Sequence, residues 1–139
     1  MSFKKFGLKY ILTIDKGEEV INAITKFAKK ENIKLATFSG IGAVSSATIG
    51  YYELSTKSYR GKDFSGNLEV TSLLGNIAIL KGEQFVHSHI TISDENLNVF
   101  GGHLKQAVVG VTLEVVVELI DGEIERKFSD EIGLNLLDI

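Results

Sequence analysis

The chain has 139 residues, no cysteine, no proline, and 15 basic against 18 acidic side chains, a formal charge of −3. That length and an apolar content of 44% fit a single domain over residues 1–139 and exclude a chain disordered throughout. The absent cysteines exclude disulfides and thiolate metal sites, and the mild acidity gives no electrostatic footprint for nucleic acid or anionic membrane.

The N-terminus carries no apolar leader, and no run of about 18 apolar residues occurs, so a cytoplasmic protein without a membrane partner is expected. Leu8, Tyr10, Leu12 and Ile14 alternate with Lys9, Ile11 and Thr13, the period of a strand. Asp15, with Glu18 three positions on, fits a capping box. Val20, Ile21, Ile24, Phe27 and Ala28 then recur at helical spacing, which predicts a long amphipathic helix over 17–31.

Residues 33–39 are rich in β-formers and run into Ser39-Gly40-Ile41-Gly42-Ala43, read as a glycine turn. That stretch lacks the third glycine of a dinucleotide fingerprint and the Lys-Ser/Thr of a P-loop. Ala47, Ile49 and Tyr51 alternate again, residues 55–66 read as a polar connection, and strands are expected at 68–74, 77–80 and 85–92. Ser93-Asp94-Glu95-Asn96 is a turn cluster. Val108 to Ile120 is a β-branched run, Asp121-Gly122 a hairpin signal before Ile124–Phe128, and the tail from Ser129 a short helical turn. The whole reads as α+β, a mainly antiparallel sheet with one long N-terminal helix and short helices packed on it. Val111 to Val117 is apolar on both faces apart from Glu114, so a second subunit is expected to cover one of them.

Three histidines carry the chemistry. His87 and His89 stand at i and i+2 on an expected strand, so both side chains share one face with Phe85 and Thr91. His103 follows Gly101-Gly102, a pair able to bend sharply and bring a third imidazole back over that strand. Three neutral imidazoles without a thiolate suit Zn²⁺ or a similar divalent ion and leave a fourth position open. A water there would be acidified towards about pH 7. The competing reading makes the three ordinary strand and turn histidines. Glu114 is the candidate catalytic acid or base, or an acceptor for an imidazole N–H, against a structural role at a subunit contact. Glu69 is expected in an ion pair. Lys26, Lys29, Lys30 and Lys34, and separately Lys4, Lys5 and Lys9, form small basic patches of the kind a helix C-terminus attracts.

Taken together, Ser39-Gly40-Ile41-Gly42-Ala43, the segment Leu68 to Ile77, His87-Ser88-His89, Gly101-Gly102-His103-Leu104 and Thr112-Leu113-Glu114-Val115 resemble the plant and prokaryote conserved (PPC) domain over about 8–137. The resemblance implies an α+β homotrimer of a group labelled DNA-binding by analogy with plant members, whose separate AT-hook binds DNA. It also implies metal ligation by His87, His89 and His103 in some relatives. This sequence has no Arg-Gly-Arg-Pro-like hook, and Gly66-Asn67-Leu68-Glu69-Val70-Thr71 stands where plant members have Gly-Arg-Phe-Glu-Ile-Leu. The expectation is therefore a homotrimeric PPC-type protein with a three-histidine zinc site and DNA as a possible partner. The alternative is a small metal-dependent hydrolase or lyase acting on a small molecule at the open position.

Overall fold

A computed structural model describes residues 1–139. Eight strands form: β1 (Ser2–Phe6), β2 (Lys9–Asp15), β3 (Ala36–Glu53), β4 (Ser58–Leu80), β5 (Glu83–Ser93), β6 (Val99–Leu119), β7 (Arg126–Ser129) and β8 (Leu134–Leu137), with apolar alternation clearest in β2 and the second half of β5. The first six make one antiparallel sheet in the order β1-β2-β6-β3-β4-β5, and β5 also pairs with β6. Strands β3, β4, β5 and β6 therefore curl into a small barrel. β7 and β8 form a separate two-stranded sheet.

The helical expectation is corrected. One helix, α1 (Val20–Lys30), is present, eleven residues long, and no short helices pack on the sheet. Its start is delayed because the preceding turn is tied to β6: Gly17 N–H donates to Val109 O at 2.9 Å and Val109 N–H to Glu18 O at 3.0 Å. Glu19, not Asp15, caps it, accepting from Ile21 N–H at 3.1 Å and Asn22 N–H at 2.7 Å. Glu18 still reaches back to Asp15 N–H at 2.9 Å, so half of the expected capping box forms one turn early. Val20, Ile24, Phe27 and Ala28 are fully buried against the sheet. Phe27 meets Phe3 and Tyr10 edge-on, with centroids 4.9 and 5.1 Å away.

Other expected breaks are strand interior. Ser39–Ala43 is no turn; β3 runs through it with a bulge between Gly40 and Gly42. Glycine is required there by close approach, since a Cβ on Gly40 would sit 2.8 Å from Glu114 O and one on Gly42 would strike Thr112 O. β4 likewise runs from Ser58 through Gly61, Gly66 and Gly75. The helical turn expected in the tail from Ser129 is present, with Gly133 N–H donating to Ser129 O at 2.6 Å, and β8 follows it. Asp121-Gly122 does not fold β7 back onto β6, because residues 112–118 of β6 are already paired with β2 on one side and residues 113–119 with β3 on the other. Glu69 is exposed and makes no ion pair. The Asp94 turn is as expected, with its carboxylate accepting from Asn96 and Asn98 N–H at 2.9 Å each.

The core lies between α1 and the sheet and inside the barrel; Leu12, Ile14, Leu73, Ile77, Ile92, Leu113, Val115 and Val117 are fully buried. No helix is long and apolar enough to cross a membrane.

Candidate metal centre

Alternation along β5 buries Ser88, Ile90 and Ile92 and leaves Phe85, His87, His89 and Thr91 on the outer face. In the register, His87 lies beside Asn76 of β4, and His89 lies between Leu74 of β4 and His103 of β6. Directly paired residues bring their Cβ atoms to about 4.5–5.5 Å. The three imidazoles accordingly form a triangle, with centroids 5.4, 5.3 and 5.6 Å apart.

Gly101-Gly102 does not deliver His103 by a bend. The pair lies inside β6, extended, opposite Thr91 and Ile90. A Cβ on Gly102 would stand 2.8 Å from Gly50 O, so glycine lets β3 and β6 approach at the level of the site.

One ligand atom from each histidine lies within 4.8 Å of the others. A tetrahedral ion with bonds of about 2.0–2.1 Å would draw these nitrogens to about 3.4 Å apart. Burial, and then the neighbouring His87, His89 and Lys105, push His103 down to about 4. Burial, the Arg126 guanidinium and His89 also lower His87. Both rings are neutral at pH 7, with lone pairs free. Nδ1 of His103 is buried without a hydrogen-bond partner, and an imidazole nitrogen in that state suits a metal. The donor set therefore fits a divalent ion, and three ligands leave a further coordination position.

The surroundings hold residues that local sequence signals do not reveal. Tyr59 stacks on His103 at 4.7 Å and 30°, and Tyr52 packs on Tyr59 at 4.9 Å. Tyr52 in turn donates to Ile132 O at 2.5 Å, fixing the β7–β8 hairpin against the site. Lys105 Nζ is 5.3 Å from the Tyr59 ring. Arg126 is only 7% exposed. It donates to Asn76 Oδ1 at 2.7 Å and Asn135 O at 3.0 Å, with its guanidinium 5.2 Å over Phe85. Only long-range pairing brings these groups to the histidines.

Glu114 is not among them. It is exposed on β6 between Thr13 and Ile41, three strands from His89 along the row His89–Leu74–Ser39–Val116. It lines a cleft of about 480 Å³ with Ile11, Ile41, Leu74 and Val116.

A family model for the Plants and Prokaryotes Conserved (PCC) domain matches residues 1–121. The chain is similar to a "putative dna binding protein" of Bacteroides thetaiotaomicron, with 34% identity, a TM-score of 0.95, and 99% of this chain and 96% of that one covered. It is also similar to a plant- and prokaryote-conserved protein of Pyrococcus horikoshii, with 36% identity, a TM-score of 0.88, and 99% and 94% covered. A protein of Archaeoglobus fulgidus called metal-containing is 35% identical, with a TM-score of 0.90 and 100% and 99% covered. No curated protein matches the chain.

Proposed function

The chain belongs to the Plants and Prokaryotes Conserved domain family, and from that premise we propose that it is a homotrimeric metal-binding module in which His87, His89 and His103 hold one zinc ion per chain. The observation that carries this reading is the triangle of imidazoles with ligand atoms within 4.8 Å, two of them held neutral and one with an orphaned, buried nitrogen. The metal-containing Archaeoglobus relative supports it. When bound, such an ion supplies Lewis acidity at its open position. His103 is held in its plane by the Tyr59 stack, and His87 and His89 are held by the β5 register. The enzymatic alternative assigns acid–base work to Glu114, which stands three strands from His89 across the sheet.

Assembly rests on a second feature. Ile11, Ile41, Leu74 and Val116 are 39–60% exposed and line one cleft on the outer face of the sheet. This apolar patch is continuous with His89 through Leu74, its partner in the ladder. A second copy of the chain is the occupant that would cover the apolar face of Val111–Val117. Sedimentation is expected to give about three times the 15.2 kDa chain mass. Ile41→Lys, within the patch, is expected to give monomers; a wild-type monomer at micromolar concentration would remove the trimer.

Duplex DNA is a second reading, favoured by one observation. Lys29 and Lys34 are paired with Glu83 and Glu123, but Lys4, Lys5, Lys26 and Lys30, around β1 and the end of α1, have no acidic partner. Four phosphate contacts predict a loss of affinity of about 100-fold between 50 and 200 mM salt, read by fluorescence anisotropy. Absence of binding at the lower salt would leave this reading without support.

A further inference from the structure

The charge around the three histidines is uncompensated. Arg126 is more than nine-tenths buried, yet it appears in no ion pair, and its Nε–H has no hydrogen-bond partner. Its two bonds go to neutral oxygens, Asn76 Oδ1 and Asn135 O. Burying a guanidinium without a carboxylate is expensive, and proteins rarely leave it so. The adjacent acid, Glu125, does not serve: alternation along the chain turns it away from Arg126, and it acts on Lys127 instead.

Arg126 is placed against the site. Its guanidinium lies over Phe85 and is bonded to Asn76, and these are the i−2 neighbour and the cross-strand partner of His87 on the same face. On the other flank, Lys105 follows His103 by two residues, lies over the Tyr59 ring, and also has no acidic partner. A divalent ion held by three neutral ligands would add two positive charges to a centre already flanked by two.

We infer that the ligand completing this centre is a small oxyanion, a carboxylate or a phosphate, with Arg126 of the C-terminal hairpin as the positioning cation beside His87. The inference rests on the metal reading above. It adds a ligand class and a residue that lies beyond the 1–121 stretch matched by the family. Arg126 keeps its bonds to Asn76 and Asn135 and acts through its charge, which favours an anion at the ion's open position over a neutral donor.

The test uses the full chain loaded with Co²⁺, whose visible spectrum reports its coordination. Acetate, inorganic phosphate and neutral imidazole are titrated separately. Acetate or phosphate is expected to bind saturably, the tighter of the two assigning the class. Arg126→Gln is expected to weaken that anion about tenfold or more while leaving imidazole affinity unchanged. Asn76→Asp covers the case in which Arg126→Gln does not fold. It keeps the guanidinium and its packing but neutralises it, so it should weaken the anion while tightening the metal. Unchanged anion affinity in both variants, or an equal loss for imidazole, would overturn the inference and leave the metal reading standing. Failure of the wild-type chain to bind Co²⁺ or Zn²⁺ would overturn both.

Discussion

Elemental analysis of zinc-loaded protein after dialysis is expected to give about one ion per chain, and His89→Ala is expected to lose it. A residue that merely orients a metal ligand is worth about 10–100-fold in affinity, so removing one of three ligands should exceed about 100-fold. A competing chromophoric chelator measures that loss. His89 is the cleanest choice. It is exposed, so its truncation opens no cavity in the core, whereas His103 also carries the Tyr59 stack. The folded state should survive the change, which circular dichroism checks. Equal metal content in wild type and variant would mean that the triangle of imidazoles holds nothing. Copper competes better than zinc for imidazole donors, so the analysis should load each metal separately.

Gly75→Ala is expected to cost the sheet several kcal/mol of stability by overpacking. Gly75 sits in β4 opposite Ser88, with the Phe38 ring lying across it. A Cβ there would run into both that ring and the His87 carbonyl oxygen. Phe38 is 4% exposed and has little room to retreat. Overpacking of this kind costs about 3 kcal/mol, which for a chain of this length lowers the melting temperature by about 10 °C. Thermal unfolding of the metal-free protein measures it. Phe38→Leu in the same chain should restore part of the loss, because the smaller side chain vacates the space the new methyl needs. A variant that melts with wild type would show that β4 and β5 separate there without penalty. Because the His87 carbonyl is one of the two obstacles, the same substitution should also weaken metal binding.

Much of the local structure could be read from residue order alone. The alternation at Leu8–Ile14 and the helical spacing of Val20, Ile24 and Phe27 reflect which side chains face a core, and both elements are present. The shared face of His87 and His89 follows from the same period-two rule. What misled was glycine. At Gly40, Gly42, Gly75 and Gly102 it marks a crowded strand rather than a turn, because neighbouring backbone or rings occupy the space of a Cβ. A local reading cannot separate these uses, since the crowding comes from residues distant in the chain. The hairpin signal at Asp121-Gly122 failed for a related reason: β6 already had partners on both sides. His103 comes to the other two imidazoles as the cross-strand partner of His89 and not through a bend at Gly101-Gly102. Arg126 and Tyr59 carried no signal, because what matters about them is only what they pack against.

The pairing of His89 with His103 has a mechanical side. That pair is the terminal rung of the short β5–β6 ladder, which runs from His89 to Ser93 on one strand and from Val99 to His103 on the other. Terminal rungs are where a ladder frays first. An ion shared by the two rings would act as a clasp at the loose end of a zip, fastening the edges that make the four strands a ring. Losing the ion would free the zip to run towards the Asp94 turn, so occupancy of the centre and the integrity of the ring would rise and fall together.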